Sequence, residues 1–123
     1  MQLVDQTENG GPLIRAVFAD GIRVGAVVWR ESFLIQPGYE VASWHAPALA
    51  GLNAAIAAAL LQRNPALVIL GCGASQAFAP AAFTATLLSA GVGLESMPSA
   101  AAARTFNLLV SEGRNVLGAF LVP

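Results

Sequence analysis

The sequence predicts an α/β domain: a mixed sheet with helices on at least one face and a β-rich layer formed by the N-terminal third. Three observations carry this prediction. Up to Trp44, short runs rich in valine and aromatic residues alternate with Gly, Asp and Pro turn signals. From Leu49 the apolar residues recur every three or four positions, which is the period of an amphipathic helix. Beyond Arg63, strand-like and helix-like segments alternate to the end, the order that builds parallel pairing with crossover helices. At 123 residues the chain fits one domain, taken as residues 1–123, with 56% hydrophobic residues to form its core.

In order along the chain, Met1 to Pro12 is polar and reads as a loosely held lead-in ending in Asn9-Gly10-Gly11-Pro12. Leu13 to Phe18 suits a strand, punctuated by Ala19-Asp20-Gly21. Val24 to Trp29 reads as a second strand with Val24, Ala26 and Val28 on one face; Ser32 to Gln36 continues as a third until Pro37-Gly38 stops it. A short extended piece spans Tyr39 to Trp44. Leu49, Leu52, Ile56 and Leu60 then mark one helix ending near Arg63-Asn64-Pro65. Leu67 to Leu70 is wholly apolar, as a strand covered on both faces should be. Pro80 suits the first turn of a second helix containing Phe83 and Leu87, closed by Gly91 and Gly93, and Val92 to Met97 is a strand. Ser99 is expected to cap a third helix that Gly113 terminates, before a last strand within Arg114 to Val122.

Composition excludes several classes of function. The net charge of −1 offers no basic field to gather nucleic acid. All six basic residues are arginines, scattered from Arg15 to Arg114, so the absence of lysine reads as base composition rather than as a recognition surface. The lone Cys72 makes no internal disulfide, and with His45 as the single histidine a structural metal site lacks ligands. The two long uncharged stretches are broken by Pro47, Gly51, Asn53, Pro65 and Pro80, so neither supplies the ~20 continuous apolar residues of a spanning helix. The N-terminus has no apolar run behind basic residues, so no signal peptide is expected and the protein reads as cytoplasmic. A charged fraction of 11%, against a typical quarter, suggests a homodimer.

Two clusters are candidates for chemistry. The loop Gly71-Cys72-Gly73-Ala74-Ser75-Gln76 follows a buried strand, and ligands of open α/β sheets gather outside the carboxyl ends of strands. Its glycines permit close backbone approach, but the third glycine of a dinucleotide fingerprint is missing and no Walker lysine exists. A Cys72–His45 nucleophile pair is open on spacing alone, although a lone cysteine behind an apolar strand is more often a small hydrophobe. On the third helix, Arg104, Asn107, Leu108 and Ser111 share one face, with Phe106, Leu109 and Val110 turned inward. Glu112 lies where the helix dipole disfavours a carboxylate, so Arg104 or Arg114 is expected to hold it.

The string RTFNLLVSEGRNVLGAFLVP, preceded by GVGLESMPSAAA, resembles the C-terminal signature of the complex I assembly factor three family. LVILGCG resembles the family's strand followed by Gly-Thr-Gly, and GIRVGAVVWRESFLIQPGYEVASW its N-terminal strands, so the likeness runs from about Ile14 to Val122. That family joins a mitochondrial assembly factor with many small bacterial and archaeal proteins. The resemblance implies a three-layer β/β/α domain with helices packed on one side, and a respiratory-complex subunit as partner. It carries over no catalytic residue. This chain departs from the pattern at Cys72, where threonine is usual, at Ala103, where many members have cysteine, and at Pro98-Ser99, which replace Asp-Thr.

Two readings of function result. The first is a non-catalytic binding or assembly protein that uses no cofactor. The second is a small-molecule pocket or minor enzyme at Gly71-Cys72-Gly73. The residues expected to bind a ligand or partner are Gly71, Cys72, Gly73, Arg104, Asn107, Glu112 and Arg114.

Overall fold

A computed structural model describes residues 13–122, so the expected lead-in, residues 1–12, lies outside the described residues. The chain enters as an antiparallel sheet of β1 (Ile14–Phe18), β2 (Gly21–Val24) and β3 (Val27–Trp29). The valine-rich run expected as one strand is divided between β2 and β3. Gly25 adopts φ 57°, which lets a two-residue turn reverse the chain at Gly25-Ala26.

A second sheet has five strands in the order β5 (Ala42–Ser43), β4 (Phe33–Ile35), β8 (Val116–Phe120), β6 (Leu67–Gly71) and β7 (Gly93–Met97). β4 pairs antiparallel to β8 and β5, whereas β6 pairs parallel to both β7 and β8, so the sheet is mixed. The helices are α1 (Ala54–Leu61), α2 (Ala81–Ser89) and α3 (Ser99–Ser111). The expected first helix is shorter than its apolar spacing suggests. Leu49–Gly51 forms a separate 3₁₀ turn, and Asn53 then starts α1 by accepting a hydrogen bond from the Ile56 N–H at 2.9 Å.

Alternation along the central strands divides the core in two. Val68, Leu70, Leu117 and Ala119 face Leu52, Ala57, Leu60, Phe83 and Leu87 from the α1 and α2 side. Ile69, Val116 and Phe120 face the other way, onto Ile14, Ile22 and Val24 of the N-terminal sheet and Ala102, Phe106 and Val110 of α3. With both faces covered, every residue of β8 is buried, which is why it and β6 read as uninterrupted apolar runs.

The expectation of helices on one side holds for α1 and α2; α3 lies on the opposite face, beside the N-terminal sheet. Strand order explains this. The α2 crossover steps from β6 to β7, and the α3 crossover steps back past β6 to β8. Two crossovers of the same hand that travel in opposite directions must place their helices on opposite faces.

α3 also completes the edge of the N-terminal sheet. The Asn107 side chain accepts from the Ile14 N–H at 3.0 Å and donates to the Ile14 carbonyl at 2.8 Å, so one amide stands in for a neighbouring strand.

Candidate functional site

The reversal of direction between the two crossovers makes the carboxyl ends of β6 and β7 a topological switch point, the place where an open α/β sheet leaves a crevice. Here the chain fills much of that crevice itself. The Gly73 N–H donates to Ser99 Oγ at 3.0 Å, and the Ser99 N–H donates back to the Gly73 carbonyl at 2.8 Å. Gly73 has φ 91°, so the tight turn after β6 depends on glycine. The cap expected for α3 is therefore different. Pro98 holds the N-cap position and Ser99 is the first helical residue, its buried hydroxyl serving the glycine loop instead of its own helix.

Cys72 is tied into the same junction. Its N–H and its Sγ both point at the Met97 carbonyl, each at 2.9 Å. The thiol thus donates to a backbone oxygen rather than to a base, and no hydrogen bond joins it to His45 among the described residues. Cys72→Ser keeps a donor facing the Met97 carbonyl and is expected to change unfolding free energy in urea by no more than about 1 kcal/mol.

Beside this junction lies a cleft of about 290 Å³ between the β1–β2 hairpin and the start of α3. Phe18 and Ile22 form one wall, Ala74, Ser99 and Ala100 the other, and Val122 lies on the chain leaving β8. No lining residue is ionisable, and the only hydroxyl on its walls is that of Ser99. A neighbouring cleft of about 330 Å³ shares Gly73 and Val122 and is where Cys72 meets Ser32, Pro47 and Leu49.

The residues singled out in the sequence separate into different places. Cys72 and Gly73 line clefts at the switch point. Gly71 lies inside β6, where a Cβ would come within 2.5 Å of the Phe120 ring; its missing side chain is the space this ring occupies. Arg104 is exposed on α3 and Asn107 is engaged with Ile14; neither lines either cleft. Glu112 and Arg114 are exposed at the far end of α3, and Gly113 (φ 79°) terminates the helix as expected. The ion pair expected to hold Glu112 is absent among the described residues, where the only pair is the exposed Asp20–Arg30 contact at 3.9 Å. Sequence reasoning missed the hairpin wall of Phe18 and Ile22, because nothing local signals that β1 and β2 return to the end of β6. It also missed Ser99 as a partner of Gly73, for which a serine after a glycine loop's sheet neighbour is too weak a signal.

A small three-layer α/β protein with an uncharged cleft beside its switch point is the class that this architecture defines. The chain belongs to the family described as Protein of unknown function (DUF498/DUF598), whose model matches residues 14–121. It is similar to a solution structure from Xanthomonas campestris, with 39% identity, a TM-score of 0.83, and coverage of 90% of this chain and 84% of that one. A Bordetella pertussis protein described as a Mth938-like domain is 27% identical with a TM-score of 0.76, over 99% of this chain and 92% of its own. A curated relative, the 13 kDa major membrane protein of Francisella tularensis subsp. holarctica (strain LVS), is 37% identical over 57 residues, which is 46% of each chain. The match thus spans about half the length of that relative. Among the described residues of this chain, no helix is long and apolar enough to cross a membrane.

Proposed function

We propose that the protein is a non-catalytic binding and assembly protein, acting in the cytoplasm, whose partner is a subunit of the peripheral part of a membrane NADH dehydrogenase. The observation that supports this reading is the chemistry of the 290 Å³ cleft. Acid–base and nucleophilic catalysis need titratable groups within hydrogen-bond reach of a reacting atom. This cleft has none, and the Ser99 oxygen is already accepting from the Gly73 N–H. An apolar, uncharged recess suits an inserted apolar side chain of a partner, the kind of anchor that dominates protein interfaces. Phe18 on its rim is half exposed and adds apolar surface. The identity of the partner rests on the sequence resemblance alone. A homodimer is part of the same proposal, since Phe78 and Leu108 also leave apolar surface exposed.

The second reading, a small-molecule pocket, draws on Cys72 and Gly73 lining the adjacent 330 Å³ cleft, a size that suits a small ligand. Affinity capture from the native host separates the two. Ala100 is exposed on the cleft wall, so Ala100→Glu places a charge there with no core to disturb. The expected result is enrichment of a dehydrogenase subunit by the unmodified chain and at least about a tenfold loss with Ala100→Glu, equal to 1.4 kcal/mol of binding. Enrichment unchanged by Ala100→Glu, or a metabolite that co-purifies in place of a protein, refutes the proposal.

A further inference from the structure

At the opposite end of the sheet from the switch point, the structure builds a second polar site. Gln36 follows β4 and is only 2% exposed, although it is a glutamine. Its Nε2 donates to the Arg63 carbonyl and to Asn115 Oδ1, both at 3.1 Å. Asn115 in turn donates to the Asn64 carbonyl at 2.9 Å, and Asn64 sits in the left-handed region at φ 51°. Three connections, after β4, after α1 and before β8, are thus locked together by side-chain amides.

Two atoms of this network are buried and unpartnered: Gln36 Oε1, an acceptor, and Arg63 Nη1, a charged donor. Buried polar groups normally find partners, and leaving a charged donor and an amide oxygen unmade in one network is unfavourable. Both residues line one open cleft of about 430 Å³, which Arg114 and Tyr39 also line and in which no acidic side chain takes part. The exposed Tyr39 ring lies over the Arg63 guanidinium, 4.8 Å from its centroid. The group stacked on Arg63 at this cleft is thus an exposed ring and not a core side chain.

We infer that this cleft binds a small carboxylate that carries a hydrogen-bond donor next to its carboxyl group. Arg63 and Arg114 supply charge for the carboxylate, and guanidinium groups match its geometry. Gln36 Oε1 takes the adjacent O–H or N–H, which acetate lacks, and the planar carboxylate rather than a tetrahedral phosphate matches the planar guanidinium fork. Two sources share this chemistry, a free 2-hydroxy acid and the carboxyl terminus of a peptide with its last amide N–H. The site is independent of the cleft beside the switch point, so the two proposals stand or fall separately.

The test is a titration of the ¹⁵N-labelled full chain, followed by amide and side-chain amide shifts, with glycolate, N-acetylglycine, acetate and inorganic phosphate. Saturable shifts at Gln36, Asn64 and Asn115 are expected from glycolate or N-acetylglycine, at least about tenfold tighter than from acetate or phosphate. Tighter binding of glycolate identifies a free acid, and tighter binding of N-acetylglycine a peptide terminus. Arg63→Gln is expected to abolish the shifts. Because Arg63 is half-buried, exposed Arg114→Gln is the control that keeps the fold, and should weaken binding at least about fivefold. No saturable shift, equal binding of acetate or phosphate, or affinity unchanged in Arg114→Gln overturns the inference.

Discussion

Replacing Phe120 by alanine is expected to destabilise the protein by about 3–5 kcal/mol, a large share of the ~5–15 kcal/mol that holds such a domain together. Phe120 is fully buried at the end of β8 and stacks on Phe33, with ring centroids 5.3 Å apart and planes 8° from parallel. Its ring covers two glycines. A Cβ on Gly71 would meet it at 2.5 Å, and one on Gly118 would come within 2.9 Å of it and 2.8 Å of Ile35. Gly71→Ala alone is therefore expected to cost about 1–3 kcal/mol by overpacking. In a Phe120→Ala background the same change should cost almost nothing, because the clash is gone. Urea unfolding of the two single variants and the double variant measures the coupling directly. A coupling of at least about 1 kcal/mol is expected for side chains in contact, and strict additivity contradicts the assignment of Gly71 to packing.

The second large effect is expected at Asn107. Asn107→Leu removes the amide that serves both the N–H and the carbonyl of Ile14, leaving both groups without a partner at the edge of β1. Unmade hydrogen bonds of this kind cost about 1–3 kcal/mol for each group left buried. Because β1 pairs with β2 on one edge and is tied to α3 on the other by this amide, the loss should be local as well as global. Hydrogen exchange at Ile14 and its neighbours in β1 is expected to accelerate more than exchange in β6 and β8. Uniform acceleration across all strands would show that Asn107 acts on overall stability and does not dock this edge.

Much of the fold is legible in the sequence where local patterns decide the outcome. The run from Leu67 to Leu70 reads as a doubly covered strand because covering both faces removes the need for alternation. Phe83 and Leu87, four apart, both become core residues of α2, and Gly113 stops α3 at the place its residue type suggests. The misses have a common cause, which is that distant parts of the chain decide them. Gly25-Ala26 lacks the usual Asn-Gly turn signal, so the reversal between β2 and β3 is visible only in the pairing of those two strands across the turn. Ser99 looks like a cap from its neighbours, yet its hydroxyl is taken by Gly73, 26 positions away. The placement of α3 follows from strand order, which no local pattern encodes.

The candidate site was legible as a place and not as a set of residues. A glycine-rich loop after a buried strand pointed to the switch point, where Cys72 and Gly73 do line clefts. Shared helical spacing grouped Arg104 with Asn107, but one is exposed and the other bonded to β1, because spacing gives a helix face and not what packs on it. Gln36 and Arg63 carried no sequence signal. They become notable only once the fold buries an amide oxygen and a guanidinium nitrogen without partners.

The central claim, that the uncharged cleft beside the switch point is a protein-binding surface, is tested most directly by site-specific photo-crosslinking in the native host. A photoreactive phenylalanine analogue at Ala100, on the exposed wall of the cleft, is compared with the same analogue at Glu95, exposed on β7 and outside the cleft lining. The account predicts a discrete covalent adduct from position 100 whose partner is a subunit of a membrane NADH dehydrogenase, with no such adduct from position 95. The same adduct pattern from both positions, or none from position 100, contradicts it.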